Sequence, residues 1–150
     1  PLYILKRRKD KGHDIFNCGG VYYGDFKNNK AHGKGILFFK NGHQYIGQWE
    51  NNKMHGKGIL FSPEGDKYIG EFKNNMMCGL GINIFLDGTY YIGQHKNNMF
   101  NGRGILTCSD GTRDIGTWKD SLMHGDITIQ YDDGFVLETS FKNGEEIENV

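Results

Sequence analysis

Three histidines, His32, His55 and His124, recur at multiples of 23 residues, and recurring imidazoles invite a metal. If that interval is a pair of strands, equivalent positions stand two strand spacings apart, about 9.5 Å. Ligands of one zinc lie within ~4 Å of each other, because each sits ~2.0–2.3 Å from the ion. Neighbouring copies cannot share an ion through this column. It reads as turn histidines that hydrogen-bond locally, and no metal or cofactor is expected. The Gly-x-Gly pairs beside the histidines suggest a phosphate loop, yet no G-x-G-x-x-G and no Gly-Lys-Ser/Thr occurs. A phosphate loop also opens a helix, whereas each pair here leads into a strand. Ser62, Ser109, Ser121 and Ser140 lack a nucleophile elbow, and the carboxylates are scattered over turns. Cys18, Cys78 and Cys108 form no C-x-x-C and are odd in number, which suits a reduced, intracellular compartment. No catalytic constellation emerges, so the chain is not expected to be an enzyme.

Charge points to one further candidate. Lys6, Arg7, Arg8 and Lys9, with Lys11, form the one dense basic cluster, which suits anionic lipid headgroups or simply a solvated terminus. Overall, 18 basic residues balance 18 acidic ones, so nothing recommends nucleic acid as a partner. The balance is uneven along the chain: residues 1–75 carry 13 basic and 7 acidic side chains, and residues 76–150 carry 5 and 11. Such a split favours contact between unlike ends, within a chain or between chains. The Lys27, Lys73, Lys96, Lys119 and Lys142 column suits soluble turns. The longest apolar runs, Leu2–Leu5 and Ile36–Phe39, fall far short of the ~20 residues of a membrane span.

The elements that position these residues follow from a repeat. Shifting the chain by 23 residues superposes Tyr22, Tyr45, Tyr68 and Tyr91, continuing to Asp114 and Leu137. Glycines keep the same register at Gly24, Gly47, Gly70, Gly93 and Gly116, and the next column holds Phe26, Trp49, Phe72, His95, Trp118 and Phe141. No gap is needed anywhere. Within 45–67, Tyr45, Gly47 and Trp49 alternate with Ile46, Gln48 and Glu50, which is strand periodicity. Residues 51–55 close a hairpin, 56–61 form its second strand, and 62–66 turn into the next unit. Glycine weakens a strand unless something approaches it closely. An aromatic ring lying flat over the bare backbone of Gly47 or Gly58 supplies the reason, since a Cβ would lift it off. Gly56 is placed in the same ring-bearing row as Gly58. Gly42, Gly65, Gly88, Gly111 and Gly134 sit between strands and read as turn glycines with positive φ.

Tyr-x-Gly-x-aromatic followed by His-Gly-x-Gly, as in YIGQWENNKMHGKG from Tyr45, resembles the MORN (membrane occupation and recognition nexus) repeat. The resemblance spans five units, 22–44, 45–67, 68–90, 91–113 and 114–136, with a half-repeat over 1–21 and a partial, acidic cap over 137–150. The fifth unit departs most, with Asp114 in place of Tyr and Ile127 in place of Gly. His95 replaces an aromatic residue one unit earlier. The resemblance implies an all-β chain, an elongated, twisted, single-layer antiparallel sheet of consecutive 23-residue hairpins.

Such a sheet with one solvated face should be apolar on one side only. Here Ile46, Ile69, Ile92 and Ile115, with Ile36, Ile59, Ile82 and Ile105, alternate with the tyrosine face, so both sides carry apolar rows. Something should cover one of them, either the terminal segments or a partner. The expected function is a scaffold that binds a protein, a peptide or a helix along the sheet, or a second copy as a homodimer. Tyr45, Trp49, Tyr68, Phe72, Tyr91 and Trp118 are the expected anchors, or core, or both. Two alternatives accompany this reading. One is an anionic-phospholipid-binding module using Lys6, Arg7, Arg8, Lys9 and Lys11. The other is a regulatory segment of a longer enzyme, a lysine methyltransferase or phosphoinositide kinase, which a chain starting at Pro1 accommodates. The expected location is intracellular and cytoplasmic, at a cytoskeletal or membrane-associated structure. Asn, Ile and Lys at 14 each suit an AT-rich genome such as a protist's.

Overall fold

The computed structural model describes residues 11–16 and 19–147. Its strands are β1 (Lys11–Ile15), β2 (Val21–Lys27), β3 (Lys30–Phe38), β4 (Gln44–Glu50), β5 (Lys53–Phe61), β6 (Lys67–Lys73) and β7 (Met76–Ile84). They continue as β8 (Tyr90–Lys96), β9 (Met99–Thr107), β10 (Arg113–Lys119), β11 (Leu122–Gln130), β12 (Val136–Lys142) and β13 (Glu145–Ile147). All 13 lie in one sheet in chain order, each antiparallel to the next, and no helix forms among the described residues. At ~4.8 Å per strand the sheet runs for about 60 Å. The basic cluster Lys6, Arg7, Arg8 and Lys9 lies outside the described residues, as does the side chain of Lys11.

Each unit pairs a seven-residue strand with a nine-residue one, and the two extra residues have a definite place. Opposite β4, Gly47 pairs with Gly58 and Trp49 with Met54, so Gln48 alone faces His55, Gly56 and Lys57. This bulge bends the strand, and Gly56 takes φ of 63° to make it. The Gly33, Gly79, Gly102 and Gly125 column does the same. These are bulge residues, which corrects the expectation that Gly56 seats a ring beside Gly58. The displaced Lys57 N–H donates to Gln48 Oε1 at 2.7 Å, and Asp25 and Gln94 accept from Lys34 and Arg103 in the same way.

Turn chemistry fixes the register. Asn51 and Asn52 both have positive φ, 50° and 66°, which is the two-residue turn whose twist matches a right-handed hairpin. The second asparagine also joins one unit to the previous one: Asn52 Oδ1 accepts from Ala31 N at 2.7 Å while Asn52 N donates to the Ala31 carbonyl. Asn75 with Met54 and Asn98 with Met77 repeat the pattern. Between units, Gly42 at φ 92° closes a short loop, as expected of that column.

The core is the tyrosine face. Tyr45 curls over Gly47 and Gly58 and donates its hydroxyl to the Gln48 carbonyl at 2.9 Å. A Cβ on Gly47 would stand 2.5 Å from Tyr45 Oη and 2.6 Å from Gly58 Cα, so only glycine fits. The ring then stands edge-on between Trp49 at 5.2 Å and Phe72 at 4.9 Å, a favourable aromatic geometry that continues along the array. One layer of sheet thus buries its own rings without a second layer.

Candidate functional site

Strand alternation sends the isoleucines to the opposite side. Cross-strand pairing aligns Tyr23, Ile36, Ile46, Ile59, Ile69, Ile82, Ile92, Ile105 and Ile115 into one unbroken row from β2 to β10. The row stays open to solvent: Ile46 is 41 % exposed, Ile92 47 % and Tyr23 50 %. Leu80, beside it on β7, is 66 % exposed. Isolated exposed apolar residues need no explanation, whereas a contiguous row this long marks a contact surface.

This face is also hollowed. Tyr23, Asp25, Lys34, Ile36, Ile46, Gln48 and Lys57 line a trough of about 530 Å³ over β2–β5. A second, of about 500 Å³, continues over β4–β7 and shares Ile46 and Lys57 with the first. The floor is isoleucine and glycine backbone, and the rim is Asp25, Lys34, Gln48, Lys57 and Glu71. At one end His13 stacks on Tyr23 at 5.8 Å, which extends the row by a strand.

The rings expected to anchor a partner lie on the other side. Tyr45, Trp49, Tyr68, Phe72, Tyr91 and Trp118 are all buried, none more than 5 % exposed. They form the core, and a partner laid on the sheet meets almost none of their surface. Burial pushes the phenol of Tyr91 up to about 12, and those of Tyr22, Tyr45 and Tyr68 further still. These hydroxyls are structural donors. The alternation of two apolar faces was legible in the sequence. Which face covers itself depends on ring-over-glycine packing, which lets the tyrosine side close on its own.

Two columns depart from the pattern together, as one coupled pair. His95 occupies the Trp/Phe column and Asn83 the Leu column, and the two meet with Nε2 at 2.7 Å from Asn83 Oδ1. His95 Nδ1 stands 3.1 Å from the Gly93 carbonyl. Burial lowers its pKa below the usual imidazole value, outweighing the Gly93 and Gly79 backbone hydrogen bonds that favour the imidazolium.

The histidine column brings no ligand set together: among the described residues no group of three His, Cys, Asp or Glu could hold a metal ion. Of its members, His124 Nδ1 accepts from Asn143 N at 3.3 Å and His55 Nδ1 lies 3.5 Å from Glu50 Oε2. Burial, with nearby carboxylates, pushes the Cys78 and Cys108 thiols up, away from the thiolate that nucleophilic chemistry requires.

Comparison with known proteins follows the same register. The family model for the MORN repeat matches residues 22–44, 45–67, 68–90, 91–113 and 115–125. No curated protein matches the chain. Among solved structures, the TCP domain of SAS-4 (dCPAP) from Drosophila melanogaster, in complex with a proline-rich motif of Ana2 (dSTIL), has a TM-score of 0.42 at 13 % identity, over 97 % of this chain and 96 % of that one. The TCP10 domain of Danio rerio CPAP with a STIL peptide has a TM-score of 0.35 at 15 % identity, over 87 % and 68 % of the two chains. The same domain without peptide gives 0.34 at 15 %, over 94 % and 89 %. These are distant likenesses.

Proposed function

The chain belongs to the MORN-repeat family, and from that premise we propose that it is a non-enzymatic scaffold that holds another protein along the isoleucine trough. One observation carries the reading: a solvent-open row, Tyr23 to Ile115, crosses nine consecutive strands on the face the fold does not use as core. A rigid array of hairpins presents that row at fixed spacing, so an elongated partner engages several units at once. Gains from successive contacts then combine within one interface. We propose a cytoskeletal or membrane-associated location for the chain on the family resemblance alone.

The test is affinity purification of the full chain beside an Ile46→Asp, Ile69→Asp, Ile92→Asp variant. These side chains are part-exposed, so the variant is expected to keep its strand circular dichroism and lose its partners. Unchanged partners in the folded variant would place the docking surface elsewhere.

A further inference from the structure

Charge is distributed across the sheet as well as along the chain. The edge formed by hairpin turns holds Lys27, Lys30, Lys53, Lys73, Lys96, Lys119 and Lys142, against Glu50, Asp120 and Glu145. The opposite edge, formed by the loops between units, holds Glu64, Asp66, Asp87, Asp110, Asp132 and Asp133, against Lys40, Lys67 and Arg113. None of the turn-edge lysines makes an ion pair among the described residues. In the trough itself Lys34 and Lys57 stand against Asp25 and Glu71, and Asp25 already accepts from the Lys34 backbone N–H. A ligand in the trough therefore meets net positive charge only on the side toward the hairpin-turn edge.

Spacing restricts the ligand's conformation. One hairpin advances the trough by two strands, about 9.6 Å. A polyproline II segment advances about 9.3 Å in three residues, with every third side chain on one ridge. Over four units the two drift apart by only ~1.2 Å. A helix that repeats its apolar face every seven residues advances about 10.5 Å and drifts by ~3.6 Å over the same length. A β-strand sends its third residue to the opposite face.

We propose that the trough takes an acidic peptide in the polyproline II conformation, with an apolar residue at every third position on the isoleucine row and carboxylates toward the hairpin-turn edge. This rests on the trough being the docking face. Apolar contact supplies register, and the lysine flank sets polarity and speeds encounter.

The test uses the full chain and a labelled peptide of four Leu-Pro-Glu triplets, read by fluorescence polarisation at low salt. Its controls are four Leu-Pro-Lys triplets and a Glu-rich helical peptide with a seven-residue leucine repeat. The expected result is binding of the Glu triplets, weakened roughly tenfold or more by Lys34→Glu with Lys57→Glu. That charge-reversed variant should in turn take up the Lys triplets, a gain that misfolding cannot produce. Preference for the helical peptide, lost in the isoleucine variant, would overturn the proposal while leaving the trough as the docking face. Equal binding of both triplet peptides would overturn it as well. So would binding to phosphatidylserine vesicles with no binding to either triplet peptide, which would assign the lysine edge to a membrane.

Discussion

Ile127 lies over Gly116 where the preceding units lay a tyrosine ring. A Cβ on Gly116 would stand 2.6 Å from Ile127 Cδ1, just as one on Gly93 would stand 2.5 Å from Tyr91 Oη. Asp114 vacates the ring's volume from one strand, and Ile127 fills it from the next while remaining 1 % exposed. The two departures from the repeat are thus one compensated change. Asp114→Tyr alone should overpack against Ile127 and cost about 1–3 kcal/mol. Asp114→Tyr with Ile127→Gly should recover most of that loss. Urea unfolding of the two singles and the double would show it, and additive effects would refute the pairing.

Tyrosine, rather than phenylalanine, recurs because its hydroxyl serves the bulge. Tyr22, Tyr45, Tyr68 and Tyr91 donate to the carbonyls of Asp25, Gln48, Glu71 and Gln94. Tyr45→Phe keeps the ring and leaves the Gln48 carbonyl without this donor, at about 1 kcal/mol. Gly47→Val should cost more, because its side chain meets both Tyr45 and the Gly58 backbone. Equal melting temperatures for wild type and Gly47→Val would remove the ring-over-glycine account.

Those glycines were legible in the sequence because their cause is local and steric: a ring two residues away needs a bare backbone. Gly56 departs from the ring-bearing row because its cause is not local. Its positive φ answers the two-residue excess of β5 over β4, visible only once Trp49 is paired with Met54. The Gln48 amide that receives Lys57 N–H lay in the same gap, since its column holds Asp25, Gln48, Glu71, Gln94 and Thr117 and looks merely polar. The isoleucine row is legible in the sequence as a second apolar face. Its exposure depended on whether the tyrosine face could close alone, a property of three-dimensional packing.

The two turn asparagines should separate under mutation. Asn74, at φ 51°, supplies turn geometry, so Asn74→Gly should change stability by only a few tenths of a kcal/mol. Asn75 also accepts from Met54 N at 2.8 Å, across units. Asn75→Gly keeps the turn and removes that bond, at about 1 kcal/mol. Indistinguishable urea midpoints for the two variants would show that the cross-unit bond adds nothing.

His95 gives the array a pH dependence of defined sign. Its folded pKa is lowered by burial, so below about 6.5 the unfolded chain binds a proton that the folded chain resists. Stability then rises with pH through this window and falls on acidification until the folded pKa is passed. His95→Phe with Asn83→Leu copies Phe72 and Leu60 of the neighbouring unit and should flatten the slope between pH 5 and 7 (about 6.5 being its upper shoulder). Melting curves that keep the wild-type slope in the double variant would assign it to another group.

The two faces make opposite predictions for the same kind of lesion. Tyr68→Ala with Tyr91→Ala removes buried rings that sit against Phe72, His95, Phe100 and Trp118. Each loss should cost about 3–5 kcal/mol, comparable to a small domain's whole stability. That variant is expected to lose its cooperative melt, at least in the central units, because repeat stability is largely a nearest-neighbour sum. Ile69→Asp with Ile92→Asp touches side chains already 37 % and 47 % exposed, so the melting temperature should move little. Its effect should appear in binding instead, where an interface anchor contributes about 2 kcal/mol, roughly thirtyfold in affinity. If the isoleucine variant unfolds while the tyrosine variant melts normally, the faces are reversed and the rings are the docking surface after all. If both fold and only the tyrosine variant loses its partner, the partner reaches the aromatic side by displacing part of the sheet.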